Sequence, residues 1–253
     1  FHTEGKDYAE WNKTLWDSAV EESSLIQNLK WRAGYLKKYL SSFTVYHFHD
    51  TSVSSPMRGD CNINDNEYLR DNGSNLAAFL YSMMQNDETN FRLIEGVVSS
   101  IAPYFKCFKL RPDVNDKERI RLEWEEKETD MYLNGYSFSD GTLRFIALAT
   151  LLLQSKTPEV IVIDEPELGL HPAAINKFAE LVKRASNKSQ IILSTQSTNL
   201  VNCFDVKDII VVDRIESQSV FRHLSEEDLA TWMDEYDLSI SDLWEKNMIG
   251  GQL

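Results

Sequence analysis

Val160-Ile161-Val162-Ile163-Asp164-Glu165-Pro166-Glu167-Leu168-Gly169-Leu170-His171-Pro172 decides how this chain is read. Four β-branched residues run unbroken into two carboxylates, and a proline then stops the strand. A continuous apolar run predicts a strand covered on both faces, as in a parallel sheet flanked by helices. Such sheets place their chemistry at the carboxyl ends of the strands, where Asp164 and Glu165 stand. Alone, two adjacent acids could equally be a plain strand end.

The flanks add to this. Upstream, Phe138-Ser139-Asp140-Gly141-Thr142-Leu143-Arg144 opens an apolar helix from Leu143 to Leu153. Ser139 suits its N-cap, and a helix amino end with a nearby glycine can hold an anion. Asp140 adds negative charge there and must face away or pair with a cation, for which Arg144 is the sequence candidate. Downstream, Gly169 and Pro172 predict a turn into a helix over Ala173–Ser186. A second strand, Gln190-Ile191-Ile192-Leu193, read as buried, runs into Ser194-Thr195-Gln196-Ser197.

In this order, the segments resemble the C-terminal part of an ABC-type ATPase of the RecF/SMC-like group: signature helix, Walker-B-like strand, D-loop and switch. The resemblance is specific from Phe138 to Asp213. It implies a P-loop NTPase-like α/β lobe, with a mostly parallel sheet flanked by helices and a helical insertion. It implies ATP and Mg²⁺ as ligands. Asp164 would hold the Mg²⁺ shell, and Glu165, on the other side of the strand, would be the general base. Ser139 and Gly141 would close on the γ-phosphate held by a second subunit. Phe138-Ser139-Asp140-Gly141 departs from the family's usual Leu-Ser-Gly-Gly in a way RecF-like members share. His171 stands where the D-loop often carries Asp, so its part at the nucleotide is open between contact and structure. Gln196 replaces the usual switch histidine and can hydrogen-bond a γ-phosphate but never carry charge. An ATP-dependent, head-to-tail homodimer is implied, coupled to DNA or to an effector such as a nuclease, in repair or anti-phage defence.

No phosphate-cradling Gly-x-x-x-x-Gly-Lys-Ser/Thr motif occurs in the sequence; Gly5-Lys6 lacks the leading glycine and is followed by Asp7. With Phe1 in place of an initiator Met, the expectation is a chain that starts inside a longer polypeptide, its Walker A lobe upstream. A chain complete as given would instead point to a non-catalytic regulatory module. A metal-dependent nuclease using Asp164, Glu165 and Glu167 is the remaining alternative.

The other segments divide the chain into a helical arm or lid (1–43), a helical subdomain with strands (44–137) and the ATPase lobe (138–253). Residues 8–40 read as helical. Phe43-Thr44-Val45-Tyr46-His47-Phe48-His49 reads as a strand with both histidines on one face; they could ligate a metal, but no third ligand is evident nearby. Residues 52–73 read as a mobile polar loop. Ser74 or Asn75 is expected to cap a helix that follows, and residues 88–103 form another, ended by Pro103. Phe105–Leu110 and Arg119–Trp124 read as strands. Ile209–Asp213 reads as a buried strand, Val220–His223 as an edge strand, and Ser225 as an N-cap before three acids.

Bulk composition sets limits. With 253 residues, 42% of them hydrophobic, the chain can bury a full core. A net charge of −14 argues against a chain-wide nucleic-acid surface. Cys61, Cys107 and Cys203 share no metal or redox spacing, which suits a reduced cytoplasmic protein. No apolar run is long enough for a membrane span.

Overall fold

The computed structural model describes residues 43–251, apart from 130, 226–228 and 230–237. The expected helical arm and the Ser225 cap with its acids therefore lie almost wholly outside the described residues.

The fold is α/β. Three parallel strands form its centre: β1 (Phe43–Tyr46), β7 (Val160–Asp164) and β8 (Gln190–Ser194), in the order β1-β7-β8. Between β1 and β7 the chain makes β2 (Asp60–Asn62), α1 (Leu76–Asn86), α2 (Glu88–Ile101), β3 (Phe105–Phe108), β4 (Arg119–Arg121), β5 (Glu123–Glu126), β6 (Tyr132–Asn134) and α3 (Asp140–Leu153). After β7 come α4 (Pro172–Ala185), β8, the short α5 (Thr198–Val201), the antiparallel hairpin β9 (Ile210–Ile215) and β10 (Gln218–His223), and α6 (Ile240–Glu245).

The central strand behaves as its composition demands. Val160, Ile161 and Ile163 of β7 are buried, and Asp164 emerges exposed at the carboxyl end. Helix α3 is apolar on every side, and each residue from Thr142 to Leu153 is buried, so it is a core helix and not a surface one. Helix α4 buries only one stripe, including Ile175, Phe178 and Val182, at the spacing of an amphipathic helix.

Two strands differ from the sequence reading. Strand β8 alternates between exposed and half-buried residues, because Ile191 and Leu193 pack against the core while the opposite face, with Ile192, is open. Strand β9 is mostly exposed, because it pairs with β10 in a separate hairpin rather than joining the central sheet.

Residues 52–73 are also better anchored than their polarity suggests. They contain β2, which pairs with β4, and bury Met57, Arg58 and Leu69. Neither Ser74 nor Asn75 caps α1 through its side chain. Asn75, fully buried, instead accepts from Arg70 N at 2.9 Å and donates to the carbonyls of Asp65 and Tyr68. Its amide satisfies the loop's backbone groups, which would otherwise be buried without partners.

The antiparallel sheet β3-β5-β6 packs an aromatic cluster against the start of α3: Trp124 stacks on Phe138 with ring centroids 4.6 Å apart. On this sheet, Lys106 and Lys109 hydrogen-bond Glu125 and hold its carboxyl down at about 2. A depressed carboxyl stabilises the fold above its unfolded pKa and loses that contribution as pH falls through the folded one. The thermal midpoint of the native protein is therefore expected to fall between pH 4.5 and pH 2 more steeply than that of Glu125→Gln. Parallel curves for the two proteins would remove Glu125 as a cause.

Candidate functional site

The carboxyl ends of β1, β7 and β8 lie side by side, with Asp164, Glu165 and Gln196 at or just past them. The register pairs Ile163 with Tyr46 on one side and Asp164 with Ser194 on the other. Asp164 accepts a hydrogen bond from the Ser194 hydroxyl through Oδ1. Its Oδ2 lies 3.9 Å from His49 Nε2. The next residue, Glu165, leaves the strand with a φ of 39°, and its N–H donates to the Ser194 carbonyl at 2.9 Å. A left-handed backbone is costly for a residue with a Cβ, and such outliers cluster at functional positions. Glu167 accepts from the Thr195 hydroxyl at 2.6 Å through Oε1, whereas its Oε2 is buried without a hydrogen-bond partner. Gln196 is exposed just past the end of β8.

Helix α3 meets this site through the loop after β7. Ser139 caps α3, accepting from Thr142 N at 3.2 Å. Gly141 packs directly on that loop: a Cβ built on it would lie 2.4 Å from the Gly169 carbonyl oxygen. Gly169 itself has a φ of 76°, which favours glycine. Gly141→Ala is therefore expected to cost about 1–3 kcal/mol by overpacking, read as a lower denaturant midpoint. An unchanged midpoint would mean that the close approach is not held.

Arg144 is not the partner of Asp140. It is buried, donating from Nε to the Phe48 carbonyl at 2.9 Å and from Nη2 to the His49 carbonyl at 2.8 Å. Burial pushes its guanidinium below the ordinary arginine value. Asp140 pairs instead with Arg58, at 2.7 Å from Nη2. Nothing local in the sequence links Arg58 to the start of α3, because the two are 82 residues apart.

His171 caps α4, its Nδ1 accepting from Ala173 N at 3.2 Å. Ser139, Gly141, Gly169 and Arg144 thus form one packed unit beside the strand ends. The three acids of the nuclease alternative do not form a metal-holding group among the described residues: Asp164 turns toward Ser194 and His49, and Glu167 toward Thr195. The one such group found there joins Asp164 to His47 and His49. Cys61, Cys107 and Cys203 are free thiols.

The Asp164 carboxylate, taken without the histidines, suits Mg²⁺, which takes hard oxygen ligands and is typically held by one or two carboxylates. Asp164 offers a half-exposed carboxylate with one oxygen left free by Ser194.

Compared with known proteins, residues 31–202 match the family described as "AAA domain, putative AbiEii toxin, Type IV TA system". The chain is 31% identical over 111 residues to the Old nuclease of Escherichia phage P2, covering 39% of this chain and 19% of that protein. It is 26% identical over 136 residues to the energy-coupling factor transporter ATP-binding protein EcfA2 of Staphylococcus aureus, covering 50% and 46%. The chain thus spans less than half of either relative. A solved structure from work on ATP-driven dimerization and DNA-stimulated activation of SMC ATPases superposes with a TM-score of 0.47 at 20% identity, covering 63% of this chain and 98% of that one.

Proposed function

Because the chain belongs to the AAA-domain family described as a putative AbiEii toxin of a Type IV toxin–antitoxin system, we propose that it is the ATP-binding and ATP-hydrolysing module of an SMC/ABC-like ATPase. The observation that carries this reading is the shared end of β7 and β8. Asp164, Glu165, Ser194 and Gln196 stand there together, where a parallel sheet presents its ligands.

On this reading each side chain has a task. Glu165 orients and deprotonates the attacking water. Asp164 holds Mg²⁺, which when bound neutralises phosphate charge. Gln196, exposed at the end of β8, hydrogen-bonds the γ-phosphate. Ser139 and Gly141, at the amino end of α3, offer backbone N–H groups to the γ-phosphate of nucleotide held by a second subunit. The Ser139 hydroxyl caps the helix as an acceptor, so its O–H can still donate to the phosphate beside the backbone N–H groups. His171 caps α4 and so shapes the loop that crosses this interface; its part is positioning. The lobe runs from 138 to 253; its part up to Leu200 shares a continuous core with 44–137, and residues from Val201 to Ile249 pack in a second cluster.

ATP binding would bring two subunits together head to tail, and hydrolysis would release them. The process driven would be DNA-related, in repair or defence, or act through an effector. The Old nuclease relative supports a nuclease as that effector, and the net charge of −14 favours a local over a chain-wide DNA contact. No helix among the described residues is long and apolar enough to cross a membrane, and a cytoplasmic location fits the free cysteines. The test is equilibrium binding of ATP with Mg²⁺ to the native polypeptide, read together with its mass in solution. ATP-dependent doubling of that mass is expected. A native polypeptide that binds no ATP would leave the regulatory-module alternative in its place.

A further inference from the structure

We propose that His47, His49 and Asp164 form a binding site for a divalent first-row transition metal ion such as Zn²⁺. The three ligand atoms, one from each residue, lie within 4.8 Å of one another. Donors about 2.0–2.2 Å from a tetrahedral Zn²⁺ are about 3.4 Å apart, so side-chain rotation of roughly an ångström closes the set. The side chains have that freedom: His47 is exposed, and His49 and Asp164 are 33% and 51% exposed.

The backbone that carries them is held. Tyr46 and Phe48 are buried and turn the two histidines to the opposite face, with ring centroids 6.0 Å apart. The His47 N–H donates to the Asp71 carbonyl at 2.9 Å, and Arg144 grips the carbonyls of Phe48 and His49. Asp164 is fixed by the Ser194 hydroxyl on Oδ1, which leaves Oδ2 toward His49. An outer hydrogen bond that orients a ligating carboxylate is a regular part of metal sites.

Two imidazoles and one carboxylate form a softer set than Mg²⁺ takes, and imidazole suits zinc, copper, iron and nickel. Three protein ligands leave a coordination position for water or a substrate oxygen, as in reactive rather than closed structural zinc sites. The site rests on this geometry and not on the nucleotide reading, although the two share Asp164.

The test is titration of the chelator-treated, nucleotide-free native protein with Zn²⁺, followed calorimetrically, and with Co²⁺, followed by its visible absorption. One equivalent of Zn²⁺ is expected to bind and to stay bound in a large excess of Mg²⁺. His47→Ala and His49→Ala should each weaken binding at least about ten-fold, and Ser194→Ala about ten-fold through the outer hydrogen bond. Unchanged thermal midpoints in the exposed histidine variants would tie the loss to ligation. Equal Zn²⁺ binding by the native protein and the double histidine variant, or displacement by Mg²⁺, would overturn the site. Zn²⁺ binding lost with ATP binding intact removes this site alone; the converse removes the nucleotide reading alone.

Discussion

Glu165→Gln is expected to lower ATP hydrolysis by the native protein about 10²–10⁴-fold, the contribution of a positioned general base. ATP binding and ATP-dependent association should stay within a few-fold of the native values, because the substitution keeps the side chain's size and removes only its charge. The backbone adds a second, independent reading. Glu165 holds a φ of 39°, so part of its conformation is unfavourable for any residue with a Cβ. Glu165→Gly should therefore abolish turnover as fully as Glu165→Gln while raising stability by about 1 kcal/mol. A strand end without a catalytic task would show the stability gain but no loss of turnover. Phosphate release by Glu165→Gln equal to that of the native protein would sink the enzymatic reading.

The sequence made the strand ends legible and left what surrounds them hidden. Strand β7 could be read because a run of Val and Ile with no polar break favours burial on both faces, and the acids that end it mark the boundary. Strand β8 looked the same by composition, yet it is half-exposed. Burial depends on what covers each face of the strand, which a local pattern does not carry. Strand β9 misled for the same reason, whereas β10 is the edge strand its sequence suggests. Helix α3 and its Ser139 cap were visible because capping is a local interaction between residues close in sequence. His47 and His49 were legible as a same-face pair by strand alternation. Their third partner was not, since Asp164 lies far along the chain and is brought alongside only by the parallel register of β1 and β7. Asp140 called for exposure or a cation, and could not show which cation would answer. The nearest candidate, Arg144, is committed to the carbonyls at the end of β1.

Arg58 supplies that cation, and its removal is expected to cost about 3–5 kcal/mol, from the several buried acceptors it would leave unpaired. Its side chain is only 5% exposed, in a segment whose composition reads as a solvated loop. Nε donates to the Thr51 carbonyl at 2.9 Å, and Nη1 donates to the carbonyls of Gly135 at 2.6 Å and Phe138 at 2.9 Å. The ion pair with Asp140 is the smaller part, because that carboxylate is 70% exposed and water screens it. The two contributions separate by substitution. Asp140→Asn should lower the denaturant-derived stability by less than about 1 kcal/mol, whereas Arg58→Ala should lower it several times more. Arg58→Lys should recover only a minor share, since a single ammonium cannot reproduce the planar fork that spans three carbonyls. The carbonyls of Gly135 and Phe138 lie just before Ser139, so the same guanidinium sets where the amino end of α3 points. Arg58→Ala should thus weaken ATP-dependent association more than its stability loss explains, measured well below the unfolding midpoint. Equal, sub-kilocalorie effects of Arg58→Ala and Asp140→Asn would mean that water replaces the guanidinium at the three carbonyls and that the loop does not position the signature.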